Sequence, residues 1–186
     1  MQDVLRSARR VARRAIGCMV AVAALMAGIA ASVPASGRGE EAASASGIQI
    51  PPGYRDWRLV SVAHEEGNLN DIRAILGNDA AIEAYRSGKI PFPDGSILAR
   101  IAWKDVSSEE NNRAFGRNQS FIAGPPPDWY LQLMVKDSKK YASTGGWGFA
   151  QFNKDGKPVD AARLATCFSC HTPVQSRDFV FTRYAQ

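Results

Sequence analysis

Cysteine and histidine are scarce in this chain, and the scarcity narrows what it can be. The 186 residues include three Cys and two His. A structural zinc site takes about four protein ligands. Beyond Cys167, Cys170 and His171, the only such residues are Cys18 and His64, too few to close a Cys/His cage. Methionine is equally sparse near the end: 15 residues follow His171 and none is Met. Internal repeats are missing, and after residue 35 there is no further long apolar run.

Charge of one sign is also lacking once the N-terminus is set apart. Arg6, Arg9, Arg10, Arg13 and Arg14 precede an apolar stretch from Ala15 to Ala31, and Val33-Pro34-Ala35 offers small residues for cleavage. This is the pattern of a secretory signal peptide over 1–35, and it predicts a periplasmic product. An uncleaved anchor is the alternative, although the run is barely long enough to span a bilayer. Cys18 lies ahead of most of the apolar run, which does not suit a lipoprotein. The segment takes five of the 23 basic and one of the 18 acidic residues with it. The remainder has 18 basic and 17 acidic residues, a net charge of +1. The high pI therefore belongs to the leader and gives no reason to expect a nucleic-acid partner. Residues 36–47, rich in Gly, Ala, Ser and Glu, read as a flexible leader. Residues 48–186 are long enough for one domain.

What is present centres on Cys167-Phe168-Ser169-Cys170-His171. Two cysteines two residues apart, followed at once by histidine, read as a c-type haem attachment site. Each thiol adds across one porphyrin vinyl group, and His171 becomes the proximal iron ligand. A thioredoxin-like redox pair is the competing reading, but it favours a helix start and has no use for the histidine. One covalently bound haem c is thus the expected cofactor, with Cys167 and Cys170 as anchors and His171 as the metal ligand.

The rest of the chain alternates apolar and polar residues in short runs. Strands are predicted over Arg58–Ala63, Asp71–Leu76, Ile97–Trp103, Trp129–Val135 and Trp147–Phe152, with a final strand-like piece over Asp178–Thr182. Asn78-Asp79 caps a helix that Gly88 ends, and Asp160 caps another that runs to Leu164 and delivers the motif. His64–Asn68 and the Gly/Pro-bearing stretch Ser107–Pro127 read as loops. The expected fold class is α+β: a mostly antiparallel β-sheet with a few short helices. Small all-helical cytochromes c do not fit, because they place the motif near the N-terminus and supply a methionine from a long tail.

Taken in order, Tyr54-x-x-Trp57, the Asp94-Gly95 turn with its strand, Val135-Lys136-Asp137-Ser138, Gly146-Trp147-Gly148-Phe149, the haem motif and Asp178-Phe179-Val180-Phe181-Thr182 resemble the cytochrome P-460 family. The resemblance spans about Ile50 to Thr182. It implies an antiparallel β fold, often a homodimer, with one c-type haem and an open distal site for nitric oxide or hydroxylamine. The related cytochromes c′-beta bind small gases without turnover. Members that oxidise hydroxylamine carry a cross-linking lysine where this chain has Arg100, and a distal carboxylate where it has Gln132. A guanidinium is a poor nucleophile, and an amide cannot act as a general base. The resemblance thus makes Arg100 and Gln132 the distal-pocket candidates and leaves haem-dependent oxidation of hydroxylamine or nitric oxide an open question. Lys104, one repeat along the same strand face, is a weaker candidate for a cross-link.

Strand parity alone puts Arg100 and Gln132 on the more polar face of apolar strands, turned either to solvent or over the haem. Other residues carry a bland and a sharp reading side by side. His64 is either an exposed loop histidine or a second iron ligand. Met134 is either core filling or an iron ligand, and either ligand would make a six-coordinate electron carrier. Phe115, Phe121 and Tyr130 pack in the core or line the pocket. Trp147 among Gly145, Gly146 and Gly148 marks close backbone approach to something flat, or a tight sheet corner. Lys139-Lys140 is a solvated turn or a docking point for a redox partner protein.

Overall fold

The computed structural model describes residues 44–185, and the expected signal segment, Cys18 and the first part of the leader lie outside them. Among the described residues the fold has six antiparallel strands and three α-helices, the α+β class that the sequence predicts. In chain order they are β1 (Arg58–Glu65), β2 (Asp71–Gly77), α1 (Asp79–Ser87), β3 (Ile97–Ser107), α2 (Glu109–Phe115), β4 (Phe121–Ala123), β5 (Leu131–Lys136), β6 (Trp147–Phe152) and α3 (Ala161–His171). The main sheet runs β1-β2-β3-β5-β6, and β4 pairs with the far end of β3.

Period-two alternation sends successive side chains to opposite faces, and here both faces are covered. On one face Val60, Ile75, Leu98, Trp147 and Phe149 pack with Ala81 and Ile82 of α1. On the other, Leu76, Ala99, Ile101, Leu131, Leu133 and Phe152 pack beneath Ile48, with Tyr54 and Trp57 from a single 3-10 turn beside them. Phe152 is fully buried, which stabilises the fold by about 2–3 kcal/mol relative to exposure.

Local chemistry sets the helix ends. The Asn78 side chain accepts from Ala81 N at 3.1 Å and from Ile97 N at 3.0 Å, so one amide caps α1 and ties it to β3. Gly88 closes α1 in the left-handed region at φ 64°. Asp160 accepts from Arg163 N at 2.8 Å and starts α3.

Three expectations need correction. The stretch 107–127 is not a loop throughout: Ser108 caps α2, and Phe121–Ala123 forms β4. His64 and Glu65 belong to β1, because they pair with Ile72 and Asp71 across the strand. Asp178–Thr182 is not a strand; Asp178 and Phe179 take left-handed φ values of 53° and 63°. At the start of the described residues, Ser46 Oγ donates to Phe149 O at 2.7 Å and Ser44 is buried.

Candidate haem site

α3 carries the motif inside the helix rather than after it. Cys167, Cys170 and His171 stand at i, i+3 and i+4, which places them on one stripe of the helix surface. That stripe faces a cavity of about 840 Å³ between α3 and the sheet, and all three residues line it. The volume falls within the range of cofactor sites.

The His171 imidazole is held in one orientation. Its Nδ1 lies 2.7 Å from the Phe179 carbonyl oxygen. A carbonyl only accepts, so Nδ1 carries the proton and the Nε2 lone pair is left free. Burial draws the imidazole pKa below its ordinary value, against the pull of the Phe179 carbonyl, which favours the neutral, metal-binding form. Phe149 and Phe181 hold the ring from two sides, with centroids at 5.0 and 5.1 Å.

The Phe179 carbonyl is in turn held by a strained turn. Asp178 and Phe179 both sit in the left-handed region, where non-glycine residues cost about 1–3 kcal/mol each. A buried anchor compensates. The Asp178 carboxylate accepts from Lys136 Nζ at 2.7 and 2.9 Å and from Phe92 N at 2.8 Å. Lys136 Nζ also donates to Gly145 O at 3.1 Å, and the Lys136 and Asp178 side chains are 5% and 6% exposed. Two of the glycines near Trp147 are explained by close approach to aromatic side chains, while Gly146, at φ 84°, meets Lys136 and Ser138. A Cβ at Gly145 would overlap the Phe179 ring, and one at Gly148 the Tyr141 ring.

Thiol redox chemistry fits this helix poorly. The cysteines lie in its second half, away from the N-terminus that would favour a thiolate. Burial and the neighbouring Cys170 push the Cys167 thiol pKa up.

Across the cavity, the sheet presents two rows. Leu98, Met134 and Phe149 are register partners and form an apolar row. Two residues along, roughly 7 Å away, Arg100, Gln132 and Gln151 form a polar row. Arg100 and Gln132 both line the cavity, opposite the motif. Gln132 Nε2 donates to Gln151 Oε1 at 2.9 Å, and Arg100 Nη2 donates to Asp71 Oδ2 at 2.6 Å.

Asp71, Arg73, Trp129 and Gln151 escape sequence reasoning. Asp71 is fully buried and accepts from Arg73 Nε at 2.8 Å, Arg100 and Trp129 Nε1 at 3.0 Å. Burial alone would raise its pKa, but the Arg73 and Trp129 hydrogen bonds and the two guanidinium charges outweigh it and hold the carboxyl below its usual range. Burial and the adjacent Arg73 lower the pKa of Arg100, with Asp71 opposing. A guanidinium remains charged at neutral pH even so. Arg73 also pairs with Glu65. The only signal in the sequence was a polar residue on an otherwise apolar strand face, as at Gln151.

Several candidates lie elsewhere. His64 is 3.1 Å from Asp105 and does not line the cavity. Lys104 stacks its ammonium 4.5 Å from the Trp129 ring centroid, also outside the lining. Phe115 and Phe121 are exposed, and Tyr130 packs on the opposite face of the sheet. Lys139 and Lys140 sit on a solvated turn. Met134 does line the cavity.

The residues present suit a haem: a cavity of sufficient size, an apolar row for the macrocycle, two thiols on one helix stripe and an imidazole with its outer nitrogen free. Among curated proteins, none matches this chain. The family model described as Cytochrome P460 matches residues 51–182. That match takes in the six strands and three α-helices of the described residues and the Cys167–His171 motif, and the chain belongs to the cytochrome P460 family, a family of haem proteins.

Proposed function

We propose that this chain is an exported, mono-haem c-type cytochrome whose open distal site binds or redox-transforms small nitrogen species such as nitric oxide or hydroxylamine. The observation that carries the reading is the pairing of a helix stripe bearing Cys167, Cys170 and His171 with the cavity it faces, His171 being oriented through Phe179. The haem, once bound, supplies a redox-active iron with a coordination position for a diatomic or similarly small ligand. The chain supplies the rest. The cysteines fix the ring, His171 offers Nε2, and Leu98, Met134 and Phe149 keep one part of the cavity apolar. Arg100 and Gln132 give the other part its polarity. Export rests on the N-terminal sequence alone.

Binding is favoured over proton-coupled oxidation. Gln132 cannot accept a proton as a base. Of the nearby carboxylates, Glu65 lines the cavity and is paired with Arg73, and buried Asp71 is occupied by Arg73, Arg100 and Trp129. A depressed pKa makes Asp71 a weak base as well.

A second reading, an electron carrier with six-coordinate iron, is favoured by one observation: Met134 lines the same cavity as His171. His64 offers no such support, since Asp105 and Asn70 hold it. One set of measurements separates the two. Intact mass of the exported holoprotein should equal the processed chain plus one haem, with Cys167 and Cys170 resistant to alkylation. The reduced protein should show a five-coordinate spectrum and bind carbon monoxide and nitric oxide. A six-coordinate spectrum that carbon monoxide leaves unchanged would establish the carrier instead.

A further inference from the structure

Four arginines line the cavity: Arg73, Arg100, Arg163 and Arg183. Arg73 is paired with Glu65 and Asp71, and Arg100 with Asp71. Among the described residues, Arg163 and Arg183 have no carboxylate within ion-pair reach. Their places differ. Arg163 is one turn ahead of Cys167 on α3, at i−4, so it shares the helix edge that carries the thiols. Arg183 stands on the C-terminal tail. That tail passes His171, whose ring meets Phe149 of β6 at 5.0 Å and Phe181 at 5.1 Å. It then reaches the opposite edge of the sheet, where Ala185 N donates to Val60 O of β1 at 2.9 Å. Beside Arg183 the tail is fixed twice more: Tyr85 Oη donates to Thr182 O at 3.2 Å, and the Tyr85 and Tyr184 rings stack at 5.9 Å. The exposed Arg183 side chain therefore leaves from a fixed backbone, which reduces the entropy cost of placing its guanidinium.

In haem c the thioether bonds take up one edge of the macrocycle, and the propionates leave from the opposite edge. The thiols stand on α3, which packs against β6. The far edge of the ring then points toward β1 and the tail. Val62 of β1 and Phe181 line the cavity on that side and are exposed, apolar surface of the kind a macrocycle covers. We propose that Arg183 pairs with a haem propionate, its guanidinium donating charge-assisted hydrogen bonds to that carboxylate, an assignment that rests on the haem reading above and extends it to the far edge of the ring.

Resonance Raman of the ferric holoprotein reads the propionate bending band, and redox titration across the acid to neutral range reads propionate ionisation. An ionised propionate favours ferric iron, so the midpoint potential falls as pH rises through the propionate pKa. A paired cation holds that pKa down. Arg183→Gln should shift the propionate band and move the pH-dependent limb of the potential upward by roughly half a pH unit, the scale of an exposed ion pair. Arg183→Lys keeps the charge and loses the planar fork. It should restore the limb while leaving the band altered. Arg163→Gln, the same charge change at the thiol edge, should leave both where they are. Glu65, the one carboxylate lining the cavity, is common to all three variants and cannot account for a difference between them. An unmoved band and limb in Arg183→Gln overturns the proposal. So do equal shifts in Arg183→Gln and Arg163→Gln, which would report net charge alone. An intact mass without haem removes the haem reading and this assignment together; one haem per chain with an unmoved band removes only the assignment of Arg183.

Discussion

Lys136→Met isolates the clamp that sets the proximal side. The wild-type ammonium makes two contacts with Asp178, at 2.7 and 2.9 Å, and one with the Gly145 carbonyl, at 3.1 Å. Methionine fills a similar volume but leaves the Asp178 carboxylate buried and short of its cation. Removing one partner of a buried ion pair costs about 3–5 kcal/mol. With side chains 5% and 6% exposed, solvent screening should reduce that little. Urea unfolding of the holoprotein, followed by haem absorbance and by far-UV circular dichroism, measures the loss. The double variant Lys136→Met/Asp178→Asn removes the orphaned charge while keeping an acceptor for Phe92 N. It should recover about half of the loss or more, because a neutral amide is far less costly to bury than a lone carboxylate. Resonance Raman of the reduced protein should show a shifted or broadened iron–histidine stretch in Lys136→Met, since the Phe179 carbonyl loses its anchor. A loss below about 1 kcal/mol with an unmoved stretch would refute the clamp.

Other expectations concern the cavity wall, the tight glycine and the outlying histidine. Asp71→Asn should destabilise by about 3–5 kcal/mol near pH 7, because two arginines lose a shared buried partner. The folded pKa of Asp71 lies below its unfolded value of 3.8. Its contribution is therefore present above that value and is lost as pH falls through the folded pKa. Wild type and Asp71→Asn should accordingly converge in acid denaturation curves below pH 3.8 and stay apart above it. Gly145→Ala should lower thermal stability by several degrees, since its φ of 66° and the Phe179 ring both oppose a methyl group. His64→Ala should leave the visible spectrum and carbon monoxide binding as they are, a change in either placing His64 at the iron after all.

The regular part of the fold was legible because strand parity carries it. On β3, Ala99 and Ile101 go to one core and Leu98 to the other, as alternation requires. Parity also turned Arg100 and Gln132 toward the same cavity as the motif. α2 escaped because Glu109–Phe115 has no apolar stripe; it rests on the Ser108 cap and on Asn112, whose side chain holds Gln119 N and Ser120 N. Residues 178–182 misled because alternation of apolar residues says nothing about φ, and a buried ion pair fixes the turn. Asp71, Gln151 and Phe179 went unseen for one reason. Each gains its role from a partner on another element, so register and long-range contact must be known first.

The link between His171 and Phe179 has an unusual implication for tuning the metal. The acceptor is main chain, so no replacement at position 179 except by altering the backbone can delete it. Many metal-bound imidazoles lean on a carboxylate, which lends them basicity; an amide oxygen lends less. With His171 as the proposed iron ligand, electron donation to the metal would be governed by where the polypeptide runs, and the control knobs would be the distant groups that steer that run.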